Sequence, residues 1–480
     1  MVETQGFVYL TAADGRTRRF IQRSGAHRSV TVPLQTARPA CRPRRPSSLL
    51  WRLRLQTAPT PTESGDGGAG RAREQVSESV KRLYDAYPFP PDPLLDGPPP
   101  GYNWRWHYPT AYAFCARGRL PPTETIRILD AGCGTGCGTE YLVHLNPQAQ
   151  VVGFDLSPAA VEVARQRLSR SVPEALSRVQ LCVKSIYDLD VGEQVAGHFD
   201  MINCVGVVHH TSDPAAALQC LARKLALGGI LHLFVYAEAG RWEIRRMQQA
   251  IALLQQAAGT RGDVRDGVQL GRALFSALPE NNRLRRREVE RWASDNRHDA
   301  TFADMYVHPQ EHDYDVHSVL ELARRSGLRF LGWSNPRQFD LSRLLGSDPT
   351  VMQRAALLDD ISRWRLVELL DPEQVTHFEF FLAKEPFPSE PLSDQQLLRA
   401  MPELSQCVHG FPSLSLLDRD YHPVNIDEAQ LEFGKAMAAD AQRQEASRAT
   451  VEQLLQRSRC SLAQVRSLLD QGIVHVRAPE

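Results

Sequence analysis

The sequence predicts an α/β protein: a parallel sheet covered by helices, with a small α/β module at its C-terminal end. Two observations support this. Short apolar runs of strand length alternate with segments of helical period from Ile126 onward, the rhythm of βαβ units. A glycine-dense turn, "DAGCGTG" from Asp130 to Gly136, follows the first of those runs and opens a helix. Right-handed crossovers then fix the topology, and ligands belong at the carboxyl ends of the strands.

The elements follow in order. "QVSESVKRLYDAY" from Gln75 has helical spacing and stops at "PFPPDPLLDGPPPG", where prolines forbid continuation. "YNWRWHYPTAYAFC" is densely aromatic. Ile126 to Leu129 reads as a buried strand, and the helix after the glycine turn reaches about Leu145. "AQVVGFDLS" is the next strand, and "SPAAVEVARQRLS" is a helix with Ser157 as N-cap and Pro158 at its first position. "VQLCVKS" and "FDMINCVGVV" are strands, Asp213-Pro214 opens a helix ending before Gly228-Gly229, and "ILHLFVYA" is the fifth strand. A mostly helical insertion covers about 241–313, followed by the helix "HSVLELARRSG" and the strands "LRFLGWS" and "THFEFFLAKEP". The predicted division is therefore 1–72, a leader and linker; 73–125, a covering segment; 126–388, the main domain; and 389–480, a separate module. The end of that module, "TVEQLLQRSRCSLAQVRSLLDQGIVHV", resembles a winged-helix end piece.

Zero net charge over 480 residues hides an asymmetry. Residues 1–62 hold eleven Arg and only two acids, Glu3 and Asp14, leaving the rest at about −9. Such a basic, acid-poor, Ser/Thr/Pro-rich segment reads as an organelle transit peptide, with the plastid stroma favoured and mitochondrion or cytoplasm as alternatives; a disordered basic tail is the competing reading. "TPTESGDGGAG" after it has linker composition. No run of about 18 apolar residues suits a membrane span. Without the leader the chain lacks a basic stripe, which weakens a nucleic-acid reading. The nine cysteines form no CxxC pair and read as free thiols, and the glycine-rich context of Cys133 and Cys137 argues against metal ligation with His144.

A dinucleotide-binding turn needs G-x-G-x-x-G, but the third glycine falls on Cys137 in one frame and Thr139 in the other. The alternative is an acid two residues before G-x-G-x-G. Here "ILDAGCGTG", "VVGFDLS", "FDMINCVGVVHHTSDP", "KLALGGILHLFVY" and "SVLELARRSGLRFLGWS" together resemble the class I S-adenosylmethionine-dependent methyltransferases over roughly Ile126 to Pro386. The resemblance implies a Rossmann-like, doubly wound, seven-stranded sheet and S-adenosylmethionine as cofactor. It places Asp130 near the cofactor amino group and Gly132, Gly134 and Gly136 beneath its methionyl part. Asp155 would accept the ribose hydroxyls, with Leu156 beside it and Asn203 on the fourth strand. After the third strand the family usually carries an acid near the adenine; this chain has Ser185 and Ile186 there, so either Ser185 contacts the exocyclic amine or Asp188 reaches in.

Methyl transfer from a sulfonium is an in-line displacement, so alignment and exclusion of water dominate. For a hydroxyl or carbon acid a base helps, and His209 and His210 follow the fourth strand, one expected in the pocket and one holding the turn. Two flanking segments rich in Trp, Tyr, His and Asp are expected to build the acceptor pocket, with Trp104, Trp106, Tyr306 and His308 as contacts. The expected function is methylation of a small or lipid-like molecule. Methylation of protein or RNA gripped by the C-terminal module is the alternative, and a non-enzymatic cofactor-binding protein is disfavoured by the intact first motif. The sequence does not set the oligomeric state.

Overall fold

Seven strands form one sheet: β1 (Arg127–Ala131), β2 (Gln150–Asp155), β3 (Val179–Val183), β4 (Phe199–Val205), β5 (Leu225–Tyr236), β6 (Arg329–Trp333) and β7 (His377–Ala383). Their order is β3-β2-β1-β4-β5-β7-β6. The first five are parallel and β7 runs antiparallel to both β5 and β6. This is the expected Rossmann-like arrangement. The computed structural model describes residues 67–122, 125–346, 348–441 and 448–478, so the basic leader up to residue 66, with Cys41, lies outside the described residues.

The strands are apolar because helices cover both faces. Helices α1 (Gly67–Ala86) and α2 (Tyr108–Cys115) precede the sheet, and α3 (Cys137–Leu145), α4 (Pro158–Ser171) and α5 (Pro214–Lys224) are crossovers between its parallel strands. Ser157 caps α4 by accepting from the Ala160 amide, and Asp213 caps α5 from Ala216, each with proline in the first turn. Two boundaries differ from expectation. Helix α1 begins at Gly67, inside the stretch assigned to leader and linker, and Arg73 on it pairs with Asp213 at 3.0 Å. Strand β5 starts at Leu225 and runs through the Gly228-Gly229 pair, because backbone bonds with Lys384 and pairing of Leu225 with Phe199 keep that segment in the sheet as a bulge with Gly228 at φ 74°.

Helices α6 (Glu238–Ala258), α7 (Val264–Ala277), α8 (Arg283–Arg287) and α9 (Asp299–Tyr306) form a cap. Its core of Ile244, Met247, Ile251, Val268, Trp292 and Phe302 also takes in Leu83 of α1. Helix α10 (Val316–Arg325) then returns the chain to the sheet. The C-terminal residues fold around their own core, with Met401–Leu404 antiparallel to Val474–Arg477 and helices 428–440, 451–455 and 462–470 packed beside them. Val476 exchanges backbone bonds of 2.8 Å with Gly118 and Leu120, docking this module on the segment after α2.

One buried side chain locks the covering loop to the sheet. Arg167 on α4 donates to the carbonyls of Thr135, Asp92 and Pro93 at 2.8–3.0 Å and faces Glu140 at 3.5 Å. Arg167→Met should cost about 3–5 kcal/mol, since it leaves Glu140 buried without its partner. Urea unfolding checks this, and a midpoint equal to wild type would mean that other contacts hold the loop.

Candidate active site

The carboxyl ends of β1, β2 and β4 open onto a cavity lined by Asp130, Gly132, Gly134, Asp155, Leu156 and Asn203, with Ser185 and Ile186 from the turn after β3. Eight expected cofactor positions thus meet in one place. Gly136, the ninth, lies one residue outside the lining as the left-handed N-cap of α3, φ 84°. Asp130 is 3% exposed; its Oδ2 accepts from Thr139 at 2.6 Å and its Oδ1 from the Asn203 amide at 2.9 Å. Burial raises its pKa, and the two bonds oppose that shift. Asp155 accepts from the Gly134 amide through one oxygen and the Ser157 amide through the other, both at 2.9 Å. Each oxygen keeps a further acceptor site toward the cavity, suiting a pair of neighbouring hydroxyls.

The glycines have a different neighbour from the one expected. All three carry positive φ, and a Cβ would meet Val207 at 2.4 Å from Gly132, the Phe89 carbonyl at 2.4 Å from Gly134, and Ala164 at 2.8 Å from Gly136. They admit the turn after β4, the covering loop and helix α4, the protein's own atoms, rather than standing only against a ligand. Gly206, in contrast, lines the cavity and a Cβ there would touch nothing, so the cavity itself occupies that space. Deep acids, a glycine floor and an apolar wall fit a ligand with an ammonium, a ribose and an adenine. At the adenine end Ser185 lines the cavity and its Oγ accepts from the Tyr187 amide at 3.2 Å; Asp188 is not among the lining residues.

Helix α1 roofs the cavity with Val76, Ser77, Val80 and Tyr84. Asp85 accepts from Ser157 at 2.6 Å and from Lys81 at 2.7 Å, and the loop residue Phe89 accepts from the Thr135 amide at 3.0 Å. The sequence signal for these roof residues is the helical spacing from Gln75.

Beyond Phe89 and Pro90 lies a second, inner cavity, lined by Phe234, Tyr236, Trp292, Thr301, Asp304, Met305 and His377. Phe89 and Pro90 belong to both walls. At the boundary Tyr84 donates to Asp304 at 2.8 Å, and His210 lines the first cavity with its ring stacked 3.6 Å from that of His308. The Gln310 carbonyl accepts from His210 Nδ1 at 2.9 Å, so the proton is on Nδ1 and Nε2 is an open acceptor. Burial pulls the His210 pKa below the usual imidazole value, with Asp304 and Glu311 opposing. His209 is fully buried, 4.1 Å from the Tyr236 ring, and lines neither cavity; burial drives its pKa well down.

The four expected acceptor contacts separate. Trp106 lines the first cavity, and His308 stands beside it through His210. Trp104 faces the C-terminal module instead, donating to Asp420 at 2.8 Å beneath the Arg419 guanidinium. Tyr306 lies in the cap core with its hydroxyl donating to Glu288 at 2.5 Å, because the turn of α9 that exposes Asp304 turns Tyr306 away. His210, Asp304 and His308 lie close enough to suggest a metal site. However, His308 Nδ1 accepts from the Gln310 amide at 3.2 Å, which puts its proton on Nε2 facing Tyr84, and that nitrogen has no lone pair to offer.

Asp155→Ala should weaken S-adenosylmethionine binding by about 1–3 kcal/mol, the cost of unpaired ribose hydroxyls. Calorimetry reads this directly, and unchanged affinity would remove Asp155 from the site.

The Methyltransferase domain family matches residues 129–231, the segment from β1 into β5 that carries these acids and glycines. The "Uncharacterized protein syc1184_c" of Synechococcus sp. (strain ATCC 27144 / PCC 6301 / SAUG 1402/1) is 52% identical over 402 residues, covering 84% of this chain and 93% of its own length. A Ubiquinone biosynthesis O-methyltransferase of Xanthomonas axonopodis pv. citri (strain 306) is 40% identical over 115 residues, 24% of this chain and 44% of its own. The solved structure of PKMT2 from Rickettsia typhi in complex with AdoHcy shares the fold, with a TM-score of 0.50 at 18% identity, over 80% of this chain and 78% of its own. The chain belongs to the class I S-adenosylmethionine-dependent methyltransferases, with S-adenosylmethionine as its methyl donor.

Proposed function

We propose that the enzyme methylates a hydroxyl group of a small or lipid-like molecule held in the inner cavity, with His210 removing the proton. One observation carries this: the open Nε2 of a neutral, oriented imidazole stands where the donor cavity meets an aromatic-lined second cavity. The bound cofactor supplies an activated methyl on sulfur. Asp130 would hold its ammonium end and Asp155 its ribose, α1 and the Phe89 loop exclude water, and Phe234, Tyr236 and Trp292 grip a flat or apolar acceptor. Trp106 lines the donor cavity, and His308 stacks on His210 where Asp304, held by Tyr84, lies near both imidazoles.

A second reading is methylation of protein or RNA, favoured by a wider outer cleft that the C-terminal module helps to line. Labelled methyl transfer into extract of cells lacking the protein separates the two readings. Label in small molecules supports the first, and label lost on protease or ribonuclease treatment supports the second. On the small-molecule acceptor, His210→Gln should lower kcat by about 10²- to 10⁴-fold with little change in KM. Because burial keeps the imidazole neutral below its ordinary value near 6.5, the acid limb of the wild-type kcat profile should fall below that pH. An unchanged kcat, or an acid limb retained in the variant, would release His210 from the role.

We infer further that the protein works in the plastid stroma, from the basic leader and from the similarity to the Synechococcus protein. Residues 1–72 fused to a fluorescent protein should direct it into plastids; mitochondrial or cytosolic fluorescence would overturn this.

A further inference from the structure

The inner cavity does not end at the cap. Thr376 and His377 line it and also line the outer cleft, which continues between the sheet edge and the C-terminal module. The two spaces are therefore neighbours across one short stretch of wall. Five arginines line the outer cleft, Arg105, Arg291, Arg337, Arg343 and Arg419, against two carboxylates, Glu379 and Asp420.

Four of the five guanidinium groups already have an anion. Arg105 meets Glu379 at 2.7 Å, Arg337 meets Asp418 at 3.1 Å, Arg343 meets Asp371 at 2.6 Å and Arg419 meets Asp420 at 3.8 Å. Arg291 differs. Among the described residues it makes no ion pair with a carboxylate; it donates to the Glu373 carbonyl and lies 4.7 Å from the ring centroid of Trp292. Burial lowers its pKa, with the Arg287 guanidinium adding to the shift and the Glu243 and Glu373 carboxylates opposing it from beyond ion-pair distance. Its neighbour in sequence, Trp292, lines the inner cavity, so residues 291 and 292 face the two sides of the junction that Thr376 and His377 share.

Resting on the hydroxyl-methylation reading above, we propose that the acceptor is an elongated oxyanion, its carboxylate or phosphate held by Arg291 at the junction and its body in the inner cavity, with the hydroxyl-bearing end reaching His210 at the wall of the donor cavity. A half-buried guanidinium presents parallel donors that match either group in bidentate fashion. The anion would fix the register of the acceptor and leave the reacting hydroxyl at the imidazole. A lipid-like tail is accommodated by the aromatic lining on either side, from Phe234 and Trp292 to Trp333 and Tyr421.

The test uses the full chain saturated with S-adenosylhomocysteine and titrated calorimetrically with 4-hydroxyphenyl alkanoates of graded chain length, each beside its neutral amide. At one chain length the acid should bind about ten-fold more tightly than the amide, as expected of a charge-assisted pair. Arg291→Gln should erase that advantage while leaving amide affinity, S-adenosylhomocysteine affinity and melting temperature at wild-type values, and Arg291→Lys should restore part of it. Trp292→Ala should weaken acid and amide together. Equal binding of acid and amide at every length, or an advantage that survives Arg291→Gln, overturns the anion site and leaves the acceptor cavity standing. Absence of binding by every compound, or binding indifferent to Trp292→Ala, overturns the cavity reading and the anion site with it.

Discussion

A row of hydrogen bonds crosses the sheet and holds the donor site in place. Asp130 on β1, Asn203 on β4 and His232 on β5 are in-register neighbours, so their side chains stand side by side on one face. Asn203 donates to Asp130 at 2.9 Å and its carbonyl meets His232 Nδ1 at 2.9 Å; His232 Nε2 meets Glu379 on β7 at 3.1 Å, and Glu379 meets Arg105 at 2.7 Å. A buried carboxylate is costly unless its oxygens are satisfied, and this row satisfies Asp130 while the charge is finally balanced at the far edge by Arg105. The Glu379 carboxyl is accordingly held far below its ordinary value, against the burial that would raise it. Rotation of Asp130 is blocked, and the acid stays aimed at the cavity.

That fixed floor explains the demands on the covering segment. A rigid cavity needs a roof, and α1 with the loop from Phe89 to Pro93 supplies one drawn from the same chain. The glycines after β1 let that loop approach within hydrogen-bonding distance, and Arg167 ties two of its carbonyls, Asp92 and Pro93, to the Thr135 carbonyl of the glycine turn. The apolar sides of α1 serve two partners, Val76 and Val80 facing the cavity and Leu83 facing the cap, so the roof and cap are coupled through one helix. Water is excluded from the donor by the same contacts that hold the fold together.

The chemistry at the boundary follows from tautomers set by backbone groups. One residue, Gln310, fixes both imidazoles: its carbonyl takes the His210 proton and its amide donates to His308. The pair thus presents one bare nitrogen and one N–H in adjacent stacked rings. His209, one residue earlier, is directed into the core against Tyr236 by the short helical turn on which both sit.

How much of this was legible in the sequence depended on the range of the interaction. The seven strands, the caps Ser157 and Asp213, and the acids Asp130 and Asp155 were readable because period, capping chemistry and strand-end position are local properties of the chain. Asn203 was placed by its position on the fourth strand, though its register beside Asp130 appears only once the strands pair. The choice between His209 and His210, the orientation of Tyr306 into the cap core and the diversion of Trp104 to the C-terminal module were decided by tertiary packing, since neighbours in sequence on a helical turn face different partners. The same holds for Asp304 at Tyr84 and for Arg291 across from Thr376: residues some 220 and 85 positions apart meet only when the cap closes on α1 and the sheet edge. Local pattern determined the donor half of the site, whereas the acceptor half exists only where distant segments converge, and no spacing in the chain encodes that convergence.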